Sequence, residues 1–255
     1  MTRICTLALA LAGWAVATAA HGEEVDLQLV LAADVSGSMN QDELRLQREG
    51  YPAALRSALV ARALGSGALG RAALTYVEWA GVDEQMVVVP WMIVSSEPDL
   101  QMFAELVANG PRLRAATSAT SLSSALQFVA ALFDGNGLSS LTRIIDVSGD
   151  GPNDAGPSIE AVRDRIVSQG IVVNGLAIAL GESDVYGPYA YLFETGYEEI
   201  LQYYRRNVIG GPGAFALGVS DMDDFAETME SKLVLEIAGG NSDRAARGRL
   251  ALLDE

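Results

Sequence analysis

The strongest constraint on this chain is an alternation. Short apolar runs rich in Val, Ile, Leu and Ala take turns with longer segments whose apolar residues recur at helical spacing. Residues 25–33 contain Leu27-Gln28-Leu29-Val30-Leu31-Ala32-Ala33, too apolar for a strand with one wet face and suited to the middle of a sheet covered on both sides. Residues 41–64 read as a helix with Leu44, Leu55, Leu59 and Val60 available to the sheet, and Pro52 predicts a kink or break inside it. Residues 72–80 and 85–94 read as a strand pair turned at Gly81-Val82-Asp83-Glu84. Helices follow at 98–108 and 121–133, a strand at 142–148, a helix at 159–168 and a strand at 171–179. Residues around 189–205 read as helical, 214–219 as a short edge strand and 221–237 as the last helix, before a charged tail at 239–255 read as mobile. The pattern implies an α/β fold, with a mostly parallel central sheet, one antiparallel edge strand and helices on both faces. Ligands of such sheets bind beyond the carboxyl ends of the strands, where strand order reverses.

Two strands end in chemistry suited to that place. In Asp34-Val35-Ser36-Gly37-Ser38, alternate residues of a turn leaving the first strand can aim three oxygen side chains to one side, which suits a small, hard cation. Asp150-Gly151 follows the strand at 142–148, and Thr120 opens the helix at 121–133, with Thr117 a rival three residues earlier. Two carboxylates just balance a divalent ion, and hydroxyls add oxygen without charge. The ion therefore stays electrophilic toward a further carboxylate. Each piece also has a plainer reading: Ser36 and Ser38 as caps of the following helix, and Asp150 as part of a tight turn with Gly151, Pro152 and Asn153.

These residues resemble the von Willebrand factor A domain and its metal-ion-dependent adhesion site. Asp34, Ser36 and Ser38 match the family's D-x-S-x-S motif, Thr120 its threonine before a helix, and Asp150 the Asp-Gly pair after an apolar strand. The resemblance implies a Rossmann-like von Willebrand factor A fold over residues 24–238. It also implies a divalent cation, Mg²⁺ foremost with Mn²⁺ or Ca²⁺ as alternatives, and a protein ligand whose Asp or Glu completes the metal shell. The chain also resembles exported bacterial proteins carrying this domain.

Export is expected from the leader as well. Arg3, the apolar stretch from Leu7 to Ala17 and the small residues Ala17-Thr18-Ala19-Ala20 read as a signal peptide over residues 1–20, cut after Ala19 or Ala20, which places the product in the periplasm or outside the cell. The alternative is an N-terminal membrane anchor, for which the run is short against a span of about 20 residues. Cys5, the only cysteine, lies in the leader, so the exported product has no thiol and no disulfide. Removing Arg3 takes the net charge from −16 to −17, which repels nucleic acid and anionic membranes. Lys232 is the only lysine.

His21 is the only histidine and borders the cleavage site, which rules out Ser-His-Asp, Cys-His and His-rich zinc machinery. No glycine-rich phosphate loop follows the first strand. A Mg²⁺-dependent hydrolase using Asp146 or Asp150 remains as an alternative, and a structural domain with a vestigial site as another. Asp146 falls within a strand, where it could be buried or paired with Arg143 or a neighbouring element. Tyr186, Tyr189, Tyr191, Tyr197, Tyr203 and Tyr204 read either as a recognition surface or as the buried side of a helix. Asp221, Asp223 and Asp224 precede a helix and suit its N-terminus.

Overall fold

The computed structural model describes residues 22–179 and 197–251, with side chains to residue 239. Along the chain lie β1 (Glu23–Glu24), β2 (Leu27–Asp34), α1 (Gln41–Leu55), α2 (Ala58–Gly65), β3 (Ala72–Trp79), β4 (Gln85–Val94), α3 (Glu97–Asn109) and α4 (Leu122–Ala131). Then come β5 (Leu138–Ser139), β6 (Thr142–Gly149), α5 (Ile159–Ser168), β7 (Val172–Ile178), α6 (Tyr197–Tyr203), β8 (Ala216–Val219) and α7 (Phe225–Ala251). A π-helical turn, Tyr204–Val208, continues α6. The main sheet has the order β4-β3-β2-β6-β7-β8. Only the β3–β4 pair is antiparallel, as the turn at residues 81–84 predicts.

The pleat sorts the core into two layers. On β2, Leu27, Leu29 and Leu31 face a cluster with Tyr51 and Leu55 of α1, Leu100 and Phe103 of α3, and Phe225, Met229, Leu233 and Ile237 of α7. Val30 and Ala32 point the other way, to Leu122 and Leu126 of α4, Val162 and Ile166 of α5, and Leu201 of α6. The four-residue spacing of the α7 anchors keeps one stripe of that helix on the sheet. Gly50 lets it cross α1 closely, since a Cβ there would stand 2.5 Å from the Phe225 ring.

Three expectations change. Pro52 sits inside α1 and the break falls later, at Arg56-Ser57, where the Ser57 hydroxyl accepts the Val60 N–H and starts α2. The last helix, expected at 221–237, begins at Phe225 and runs to Ala251, through most of the segment read as a tail. β1 and β5 add a two-stranded ribbon that the hydropathy pattern does not show. The helix expected from residue 189 lies outside the described residues up to 196.

Chain order reverses direction across the sheet between β2 and β6: β3 and β4 extend one way, and β6, β7 and β8 the other. The carboxyl ends of β2 and β6 therefore lie side by side at the switch point. Asp34 is the last residue of β2, and Asp150 follows the last residue of β6.

Candidate metal centre

All five oxygen-bearing residues singled out from the sequence meet at that switch point. The Asp34 Oδ1 accepts the Ser36 N–H at 2.8 Å, which folds the turn back over the strand end. The Ser36 and Ser38 hydroxyls lie 2.9 Å apart, and Thr120 Oγ1 stands 3.1 Å from Ser36 Oγ and 3.3 Å from Ser38 Oγ. Ser38 Oγ donates to Asp150 Oδ1 at 2.7 Å and so joins the β2 and β6 ends.

The plainer readings of the serines give way. Asn40 caps α1, accepting the Asp42 and Glu43 N–H groups while the Glu43 carboxylate takes the Asn40 N–H. This capping box leaves Ser36 and Ser38 free to face the cluster. The Thr117 hydroxyl instead donates to Glu84 Oε2 at 2.9 Å, so Thr120 is the threonine of the cluster.

The supports of this ring were not legible from the sequence. The loop after β6 clamps the start of α4: Asp154 Oδ1 accepts the Thr120 N–H and Asn153 Oδ1 the Ser123 N–H, each at 2.8 Å. The Tyr203 hydroxyl accepts the Asn153 N–H at 3.0 Å. Beneath Asp34, Gln47 donates to its carbonyl at 2.7 Å and accepts from Ser148 Oγ at 2.6 Å. At Gly149 a Cβ would lie 2.6 Å from Asp34 Oδ2 and 2.7 Å from the Tyr204 hydroxyl, so the close approach of β6 to the carboxylate needs glycine there.

Electrostatically the cluster lacks a positive charge. Burial raises the Asp34 pKa well above the usual carboxylate range, and Asp150 across the ring raises it further. Burial raises Asp150 too, against the hydrogen bond from Ser38. Neither carboxylate has an ion-pair partner, and Asp34 Oδ2 and the Tyr204 hydroxyl are buried without hydrogen bonds, among the described residues. A buried carboxylate without a counterion is costly. Two carboxylates and three hydroxyls match the all-oxygen shell of a small divalent cation. The fit rests on that mixture, since no group of three or more His, Cys, Asp or Glu side chains among the described residues is placed to hold a metal.

Asp146, the other acid weighed for chemistry, is elsewhere. It is fully buried in β6 with Lys232 Nζ of α7 2.6 Å from its Oδ1. Lys232 also pairs with Glu236, which accepts from Asn174 Nδ2 at 3.1 Å. Burial alone would lower the Lys232 pKa, but Asp146 and Glu236 more than offset it and raise it. Burial, with the Asp146 charge, pushes Glu236 up to about 8 despite Lys232. The tyrosine segment is divided: Tyr204 is buried beneath the ring and Tyr203 half-buried, while Tyr186, Tyr189 and Tyr191 lie outside the described residues. At the start of α7, Asp221 Oδ1 accepts the Asp223 N–H and the Asp224 carbonyl accepts from Thr228, in keeping with a helix-start role.

Residues 24–241 match the family described as "Protein of unknown function (DUF1194)". No curated protein matches the chain. Among solved structures, proximal thread matrix protein 1 from the mussel byssus aligns with 85% of this chain and 49% of its own at 14% identity and a TM-score of 0.56. The same protein with a zinc-occupied MIDAS motif aligns over 86% of this chain and 46% of its own, at 13% identity and a TM-score of 0.53. The pilus adhesin SpaC from Lactobacillus rhamnosus GG gives 83%, 30%, 12% and 0.55 in the same order. The chain thus spans about half or less of these proteins. The likeness carries the fold, and the fold is that of the von Willebrand factor A domain.

Proposed function

The chain belongs to the DUF1194 family of proteins of unknown function, and we propose that it is an exported, metal-dependent protein-binding module rather than an enzyme. Asp34, Ser36, Ser38, Thr120 and Asp150 would hold a divalent cation, directly or through water, with Mg²⁺ foremost and Mn²⁺ or Ca²⁺ as alternatives. An Asp or Glu of a partner protein then fills the remaining position. One observation carries the reading: a buried carboxylate oxygen, Asp34 Oδ2, is left without a partner beside a second carboxylate and a ring of three hydroxyls. The ring provides donors for a cation but no cation of its own.

Further support comes from the comparisons, in which a zinc-occupied MIDAS motif and a pilus adhesin share the fold. The net charge of −16 disfavours nucleic acid and favours cations. The sequence of residues 1–20 reads as a leader, which supports export, and no helix among the described residues is long and apolar enough to cross a membrane. The hydrolase reading loses Asp146, whose carboxylate is buried on Lys232 away from the ring.

The test is calorimetric titration of the leaderless protein with Mg²⁺, Mn²⁺ and Ca²⁺, beside Asp34→Ala and Asp150→Ala. Saturable binding in the parent protein, lost in both variants, is the expected result. An absence of binding to all three ions, or binding that survives both substitutions, defeats the reading.

A further inference from the structure

A cavity of about 340 Å³ opens beside the oxygen ring and shares Ser36 and Gly37 as part of its wall. Arg48, Glu78, Arg112 and Leu113 line another part. Arg48 is only 4% exposed, and most of its guanidinium is spoken for: Nη1 pairs with Glu78, and Nη2 donates to the Gly110 and Pro111 carbonyls at 2.7 and 3.1 Å. Its Nε has no acceptor among the described residues. Glu78 is fully engaged, since its second oxygen accepts the Leu113 N–H at 2.7 Å. Arg112 adds a second guanidinium with no ion pair among the described residues. Partial burial and the Arg48 charge hold Arg112 below the ordinary arginine value, and Glu78 only partly offsets them.

Two guanidinium groups thus face one carboxylate at the edge of the proposed cation site, on a chain whose net charge is −16. The local excess is positive where the molecule as a whole is negative. Guanidinium N–H groups match carboxylate geometry, and a buried Nε–H gains most from an acceptor. We propose that this cavity is an anion subsite of the binding face, taking a second carboxylate of the same acidic segment whose first carboxylate completes the cation shell. The inference rests on the cation-dependent reading above and narrows the partner to a segment presenting two neighbouring acidic groups. Arg112 meets the incoming carboxylate at the mouth, and the Arg48 Nε–H receives it inside.

The experiment follows arginine Nε–H signals by ¹⁵N NMR in the leaderless protein, in Asp34→Ala and in Arg112→Gln, with glutarate and acetate as probes, with and without Mg²⁺. The Arg48 and Arg112 signals of the parent protein should shift on adding glutarate. With Mg²⁺ present, glutarate should bind roughly tenfold tighter than acetate, and this preference should disappear in Arg112→Gln. In Asp34→Ala the arginine signals should still respond to glutarate, but Mg²⁺ should add nothing. Unmoved arginine signals in both the parent and Asp34→Ala would overturn the subsite. A parent protein that binds Mg²⁺ but prefers glutarate no more than acetate would overturn the two-carboxylate coupling. Arginine shifts in a parent protein that binds no Mg²⁺ would keep the anion site while sinking the cation reading and the coupling with it.

Discussion

Strand β6 and the turn that follows it carry two acids with opposite fates. Asp146, in mid-strand, is sealed against α7 with Lys232 as a built-in counterion. Asp150, just past the strand end, meets Asp34 and three hydroxyls, and no cationic side chain pairs with either acid among the described residues. The comparison shows how the chain manages acids in its interior. Where it supplies its own ammonium, the carboxylate ties a helix to the sheet. Where it supplies only oxygens, the proposed function assigns the carboxylates to an outside cation.

Loss of the internal cation should have the largest effect. Lys232→Met should leave Asp146 buried without its counterion and Glu236 without its hydrogen bond from Lys232, and cost about 3–5 kcal/mol of stability, read as a lower midpoint in urea unfolding. Supplying the outside cation sharpens the other half: Mg²⁺ at about 100 times its Kd should stabilise the protein by about 2.7 kcal/mol. Thermal unfolding should show that gain in the parent protein and not in Asp34→Asn. Gly149→Ala should cost about 1–3 kcal/mol by overpacking and weaken Mg²⁺ binding, because its Cβ would intrude on Asp34 Oδ2.

Acidity separates the clusters more gently. Glu236 has a folded-state pKa of about 8 against an ordinary 4.5, so between these values the folded protein holds a proton that the unfolded chain has released. Its contribution therefore makes stability fall as pH rises from about 4.5 to about 8 and then level off. Glu236→Gln should flatten that part of a pH series of unfolding midpoints. The ring behaves differently: Asp34 and Asp150 both have raised pKa values, so the cation must compete with protons and its affinity should fall on acidification. The smallest effect distinguishes the two threonines. Thr120→Ala should weaken Mg²⁺ by roughly tenfold, about the value of one charge-assisted contact, whereas Thr117→Ala should leave it unchanged by calorimetry.

The ring was legible because its parts are local signals tied to strand ends: an Asp-x-Ser-x-Ser turn after an apolar run, and an Asp-Gly pair after another. The mostly parallel sheet with its antiparallel edge followed from the βα alternation and the short turn at residues 81–84, whereas the strand order did not. The Lys232 cluster was not legible, because Asp146 and Lys232 are far apart in sequence and pair only through the packing of α7 on β6. A lone lysine in an arginine-rich chain was a signal whose meaning the sequence could not supply. The burial of Tyr204 was one of the two readings of its segment, but its place beside Asp34 and the role of Gly149 were not legible, since both depend on the approach of the π-helical turn and β6 to Asp34. Pro52 misled because the helix break is set by the Ser57 cap, while Pro52 is accommodated within α1.

The burial of the sole lysine has a practical consequence. With Lys232 fully enclosed, a folded chain trimmed near residue 21 offers amine-reactive reagents only its α-amine. Glu23, in the β1–β5 ribbon, precedes the amino end of β2, and seven residue steps along β2 separate Leu27 from Asp34, roughly 23 Å at strand rise. Amine coupling to a bead or sensor chip should therefore fix every molecule in the same orientation, with the oxygen ring turned outward toward whatever flows past.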